Sequence, residues 1–221
     1  MKSIFNFEGP VFSFFEKLAN LLWLDILWLV CSLPIVTIGA STTAMYYVTF
    51  KMIKDEETSI AKSFFKSFIQ NFKQATIVWI VLLLGAGVVF LDTQMYVQDG
   101  TVISKGIHII ICVLGFILLL SGTYIFPLIA KFDNTTGNFV KNALILSIFN
   151  APFTLIIIIM IIIPVAVVYF VPVLLPLSLF FGGSLVAYCS SFVFDKIFRR
   201  LLKDNSEDNN VEIKQQVEEI E

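Results

Sequence analysis

The sequence predicts an all-α protein, a polytopic transmembrane helix bundle, and three observations predict it. Of 221 residues, 57% are hydrophobic and only 14% charged, with a mean hydropathy of +0.88. A soluble domain holds about 45–50% apolar and about 25% charged residues. Several windows also meet the requirement of roughly 20 consecutive apolar residues for crossing a bilayer. Finally, lysines and arginines gather in alternate connecting segments, the pattern of loops left on the cytoplasmic side. Short alternating strands, the mark of an outer-membrane barrel, are not the pattern here.

The elements follow in order. Six spans are favoured, at about residues 14–33, 40–54, 75–97, 106–130, 143–170 and 173–194, with five as the alternative. The first two depend on one break. Leu18 to Phe50 is one apolar run, and a single helix of that length is about 50 Å long against a hydrocarbon core of about 30 Å. Pro34 lacks a backbone donor and pushes Leu33 out of the helical region. Gly39 can adopt the positive φ of a tight turn, after which Ser41, Thr42 or Thr43 can cap a new helix. Pro34 and Gly39 therefore mark a helix break. Ala40 and Ala44 are spaced for close helix contact.

Residues 59–73 read as an amphipathic helix on the inner face. On a helical wheel Ala61, Phe64, Phe65, Phe68 and Phe72 share an arc of about 100°, and Lys62, Lys66 and Lys73 one of about 40°. Asp55, Glu56 and Glu57 precede it, and Thr58 or Ser59 can cap it. Such a helix lies on anionic headgroups or docks a partner. The span at 143–170 holds Asn150, Pro152 and Pro164, so tilt or a kink is expected. Gly183, Ala187 and Ser191 recur every fourth residue as a packing seam. Residues 1–203 form the transmembrane domain. Residues 204–221 carry seven acids and are expected to be a disordered, acidic cytoplasmic tail.

Charge sets the orientation. Lys51, Lys54, Lys62, Lys66 and Lys73, then Lys131 and Lys141, then Lys196, Arg199, Arg200 and Lys203 mark cytoplasmic segments. The loop 92–106 offers only Lys105. The C-terminus is thus expected inside, and the N-terminus too if both halves of the first run cross. Basic residues track membrane loops, so no nucleic-acid partner is expected.

Chemistry is sparse. His108 is the single histidine, which excludes His-cluster metal sites. Phosphate-cradling and nucleophile-elbow motifs are absent. Cys31, Cys112 and Cys189 lie far apart in apolar runs and read as small buried hydrophobes. No catalytic, cofactor-binding or metal-ligating residue is assigned, no cofactor is expected, and the chain is not read as an enzyme. Asp25 is the one ionisable residue at membrane depth, a position that is functional by default. It either binds a cation or proton, or hydrogen-bonds Asn150 or the hydroxyls after Gly39 to hold the bundle. Asn150, Asn20 and Ser121 serve as interhelical glue.

The run "LANLLWLDILWLVCSLPIVTIGASTTAMYYV", followed by "KDEE" and "SFFKSFIQNFKQAT", resembles the YesL family of small bacterial integral membrane proteins. The likeness is strongest over residues 6–80 and rests on P-x-V-T-x-G, the hydroxyl-rich helix and F-x-x-x-F with Asn71 and Phe72. The family has no established activity, so no site residue carries over. Its members are often encoded beside carbohydrate ABC transporters. The resemblance therefore implies a non-enzymatic accessory protein of the bacterial cell membrane, partnered by the bilayer and by carbohydrate ABC permease subunits. A permease coupling loop is not found. The alternatives are a small stand-alone secondary transporter or channel using Asp25, and a membrane sensor or scaffold.

Overall fold

The structure is a computed structural model. It describes the backbone of residues 10–56, 59–99 and 102–218, and of these all side chains except those of residues 10–12, 97–99, 102–103, 177, 179, 181 and 203–218. Among the described residues it is all-helical, with seven α-helices and no strand: α1 (Pro10–Ser32), α2 (Ile38–Met52), α3 (Ile60–Asp99), α4 (Val102–Lys131), α5 (Thr136–Phe149), α6 (Ala151–Phe170) and α7 (Leu175–Glu218). Among the described residues, three stretches are long and apolar enough to cross a membrane: Ile60–Tyr96, Ser104–Lys131 and Ala151–Phe170. Their outward faces are rows of exposed Leu, Ile, Val and Phe, as a lipid-facing helix requires. By length and composition, these three helices are those of a membrane protein.

The first apolar run breaks where proline dictates. α1 ends at Ser32, Pro34 is extended (φ −74, ψ 116), and one 3-10 turn, Ile35–Thr37, leads into α2. Gly39 does not make the turn. It lies inside α2 and supplies close approach instead: a Cβ there would meet the Ala75 carbonyl oxygen and Trp79 Cβ, each at 2.6 Å. Nor do Ser41, Thr42 or Thr43 cap the helix. Thr37 holds the N-cap position, with its hydroxyl donating to the carbonyls of Cys31 and Pro34 rather than to the helix amides. Ser41 and Thr43 donate back to the carbonyls four residues earlier, a bonding pattern that lets hydroxyls sit mid-helix.

α2 is the central element, packed by α1, α3, α4 and α7. Its small residues permit this: Gly39, Ala40, Ser41, Thr43, Ala44, Val48 and Thr49 are all buried. At its C-terminus Glu56 N–H bonds the Lys51 carbonyl and Asp55 N–H that of Met52. Asp55 adopts the left-handed conformation (φ 54) that this helix stop requires.

The expected inner-face helix 59–73 and the span after it are not separate. They form one 40-residue helix, α3, because Lys73, Gln74 and Ala75 are all helix-compatible and no Gly or Pro intervenes. Glu57 and Thr58 lie outside the described residues. The first half of α3 pairs with α2, from Lys51 against Ser63 to Gly39 against Ala75. The second half pairs with α4, where Gly85 and Gly115 admit Leu118 and Val89 of the opposite helix. The α1–α2 turn lies beside Trp79, whose indole N–H donates to the Ile35 carbonyl at 2.7 Å. α3 continues from Trp79 to Asp99, a further stretch of about 30 Å at 1.5 Å per residue.

The expected span 143–170 is likewise two helices. Asn150 (φ −108, ψ 36) separates α5 from α6, with Pro152 in the first turn of α6, where a missing N–H is harmless. Pro127 and Pro164 lie inside helices that run on through them. Residues 204–218, expected as a disordered tail, continue α7 as helix; residues 219–221 lie outside the described residues.

Candidate functional site: the polar seams of the bundle

Asp25 sits on the inward face of α1 and is 1% exposed. Its partner is neither Asn150 nor the hydroxyls after Gly39. Ser184 of α7 donates twice, through its backbone N–H to Oδ1 at 2.8 Å and through its hydroxyl to Oδ2 at 2.6 Å. Ser184 lies in the third turn of α7, directly after Gly182 and Gly183. Gly183 also makes the room, since a Cβ there would come within 2.8 Å of Oδ1. Beside this clamp is a cavity of about 540 Å³ between α1, α2, α6 and α7, bordered by Trp28, Thr42, Met45, Pro164 and Gly183.

Below the clamp, α2 and α7 are joined by hydroxyls. Tyr46 meets Ser190 at 3.3 Å and Thr49 meets Ser191 at 2.8 Å. The Gly183, Ala187, Ser191 seam is thus the α7 face toward α1 and α2. Asn150 is elsewhere. It donates to the Leu146 carbonyl at the α5 end, while Thr154 just beyond it accepts or donates with Tyr124 at 2.9 Å. Asp25 and Asn150 do not share a site.

At the opposite end of this core lies a charge cluster that sequence inspection missed. Asp195 bonds Lys131 at 2.7 Å and Arg199 at 2.5 Å, and the Lys131 ammonium lies 5.1 Å and 5.2 Å from the ring centres of Phe50 and Phe198. Burial works against the charged carboxylate of Asp195, but the hydrogen bonds and charges of Lys131 and Arg199 outweigh it and hold its pKa below the ordinary value. Asp195 had no local signal, because it falls in the basic "KIFRR" neighbourhood and its main partner is 64 residues away.

The amphipathic stretch of α3 divides its aromatic arc. Phe64 is fully buried and Phe68 half-buried against the core, whereas Phe65 and Phe72 are exposed, 44% and 40%. The buried face is centred about a quarter-turn away, on Ser63, Ser67 and Ala75. Lys62, Lys66 and Lys73 are all exposed, beside Phe65, Phe72 and the 72% exposed Ile69. No group of three or more His, Cys, Asp or Glu side chains fit to hold a metal occurs among the described residues.

The comparisons with known proteins bear mainly on the N-terminal part of the bundle. The family model described as "Protein of unknown function, DUF624" matches residues 21–93, from α1 through most of α3. The uncharacterized protein YteU of Bacillus subtilis (strain 168) is 25% identical over 185 residues, covering 82% of this chain and 82% of that protein. No solved structure matches the chain. The matched stretch holds the Pro34 break, the close-packed Gly39 and the Asp25 carboxylate, so the chain is similar to DUF624 proteins in the part that builds its centre.

Proposed function

We propose that this protein is a non-enzymatic accessory subunit of the bacterial cell membrane that works beside a carbohydrate ABC importer. The resemblance to the YesL family supplies the pathway. The observation that carries a partner-binding role is the α3 face formed by Phe65, Ile69 and Phe72 with Lys62, Lys66 and Lys73 alongside. It combines apolar area with cations in the segment that the lysine pattern assigns to the cytoplasm. Mild-detergent purification of the tagged protein from its host tests this, with a sugar permease subunit expected to co-purify. Replacing Lys62, Lys66 and Lys73 by Glu should release that subunit without altering thermal stability. Normal oligosaccharide uptake in a clean deletion, with no permease recovered, overturns the proposal.

For topology, both termini are assigned to the cytoplasm, with α3, α4, α6 and the first half of α7 crossing. Six crossings also keep both termini inside, but they need the α1–α2 turn to reach the outer face. The Trp79–Ile35 bond favours a re-entrant α1–α2 hairpin that stops within the membrane, as non-helical backbone at depth is tolerated when packed on protein. A stand-alone transporter using Asp25 is disfavoured by the two Ser184 hydrogen bonds, which engage both carboxylate oxygens and tie α1 to α7.

A further inference from the structure

Positive charge is in excess where α6 begins and α7 leaves the apolar core. Lys196 and Arg200 of α7 both stand over the ring of Phe153 in α6. The Lys196 ammonium and the Arg200 guanidinium carbon each lie 5.8 Å from its centre. Nearby, Lys131 and Arg199 share the carboxylate of Asp195, which Arg199 reaches through Nε alone. Lys196 and Arg200 have no such partner. Among the described residues no Asp or Glu lies within ion-pair distance of either. One turn before and after Lys196 stand Phe192, Val193, Arg199 and Arg200, none of them acidic. Like charges four positions apart on a helix repel. An aromatic face offsets that only weakly when the cations are exposed, as both are here.

The position of the pair says which anion would meet it. Phe153 lies in the first turn of Ala151–Phe170, a stretch apolar enough to cross a membrane. Phe149, just before that stretch, and Phe192, one turn before Lys196, are both exposed. The two cations therefore stand at the boundary between apolar and polar surface, the level of lipid phosphates. The lysine pattern assigns this end to the cytoplasm, whose leaflet carries the anionic lipids. α6 also has little else to hold it. Of its 20 residues only Thr154 and Ile157 are buried, both within its first two turns, and its main neighbour is α7. A group that bridges α6 and α7 at Phe153 acts where this helix is anchored.

We propose that Lys196, Arg200 and Phe153 form a binding site for an anionic phospholipid, with its phosphate between the two cations. Residues four apart on a helix have Cβ atoms about 6 Å apart, so both long side chains reach one phosphate. Arg200 presents parallel N–H donors suited to two phosphate oxygens, and Lys196 adds a point charge. The phosphate removes the repulsion between the two cations. The acyl chains lie along the exposed apolar residues of α6 and α7 next to the site, Ile156 and Phe192 among them. Those residues commit the site to a lipid rather than to free phosphate, which would leave them in contact with nothing. The site is separate from the α3 face, whose lysines stand on another helix. It rests on the membrane character of Ala151–Phe170, not on an ABC importer as partner.

The test uses the full chain in zwitterionic detergent micelles with added phosphatidylglycerol, phosphatidylcholine or soluble glycerol phosphate. Bound lipid is read by native mass spectrometry and stability by thermal unfolding. Phosphatidylglycerol should bind at least about tenfold more tightly than phosphatidylcholine, the preference two cations at a membrane surface provide. It should also raise the melting temperature, and glycerol phosphate should not. A variant with Lys196→Gln and Arg200→Gln should melt like the parent in phosphatidylcholine and lose most of the preference. One with Lys62→Gln, Lys66→Gln and Lys73→Gln should keep it. Acetylation mapped by peptide in the parent protein needs no variant and decides the matter should the first one fail to fold. Phosphatidylglycerol above its dissociation constant should slow acetylation of Lys196 at least about threefold, and that of Lys62 much less. Equal binding of the two lipids, an unchanged preference without Lys196 and Arg200, or an equal loss without the α3 lysines each overturns the proposal. So does equal protection of Lys62 and Lys196. An equal effect of glycerol phosphate replaces the lipid with a free anion and overturns it too.

Discussion

The indole N–H of Trp79 donates to the carbonyl oxygen of Ile35 across 2.7 Å, and this bond fixes how far the α1–α2 turn extends along α3. The turn exposes Leu33, Ile35 and Val36, side chains suited to lipid rather than to water. In a background lacking Cys31, Cys112 and Cys189, a Leu33→Cys variant should resist a membrane-impermeant thiol reagent applied to intact cells. Labelling from outside would establish two full crossings in place of a re-entrant hairpin.

Gly39 and Gly87 form a matched pair for helix packing. Gly39→Ala places a methyl 2.6 Å from a backbone oxygen that cannot step aside, so a loss of about 1–3 kcal/mol is expected from overpacking. Gly87 has nothing within 4 Å of a built Cβ. Gly87→Ala should be stabilising, by up to about 1 kcal/mol from helix propensity. Thermal unfolding in detergent compares the two, and similar behaviour would refute the α2–α3 contact.

The clamp between Asp25 and Ser184 predicts energetic coupling. Asp25→Ala and Ser184→Ala should each destabilise, and the double variant should lose less than their sum. An interaction energy of about 1–3 kcal/mol is expected for a hydrogen-bonded charged group. The backbone N–H bond survives in Ser184→Ala, so additive losses in that cycle would show that the Ser184 hydroxyl does not bond Asp25. Reconstitution provides the functional counterpart: neither the parent nor Asp25→Asn alone is expected to carry sugar flux in liposomes, and flux by the parent that Asp25→Asn selectively loses with intact stability would favour a transport role.

Asp195 gives the bundle an acid-sensitive point. Its pKa is lowered in the folded state, so its contribution is complete above the unfolded value of about 3.9. That contribution is lost as pH falls through the lower folded value. Asp195→Asn leaves the Lys131 charge without its carboxylate, and a loss of about 3 kcal/mol at neutral pH is expected for a broken buried pair. The variant should match the parent more closely as pH drops below about 4. A pH-independent gap between the two melting curves would contradict this assignment.

What was legible in the sequence was local. The Pro34 break could be read because proline constrains its own and the preceding residue wherever it occurs. The lipid-facing stretches could be read from apolar content alone. The break at Asn150 was anticipated only as a kink, since Pro152 marks a helix start as readily as a bend. The buried face of α3 was misjudged because, beside lipid, apolar residues face outward as well as inward. Phe65 and Phe72 carry as strong a hydrophobic signal as Phe64, and the true inner face is marked by Ser63, Ser67 and Ala75. Long-range partners were out of reach: 159 positions separate Asp25 from Ser184, and no periodicity connects them.

The enclosure of α2 has a consequence for biosynthesis. This helix emerges early, yet two of its hydroxyl partners, Ser190 and Ser191, follow 144 and 142 positions later. At a translation rate of about 5–20 residues per second, Tyr46 and Thr49 wait on the order of ten seconds before α7 exists. During that interval the buried face of α2, with Gly39, Ser41, Thr43, Ala44 and Thr49, lacks the α7 surface that completes its cover in the folded protein. Nascent chains cut short before α7 should therefore be held by the insertion machinery or by chaperones, and degraded when released.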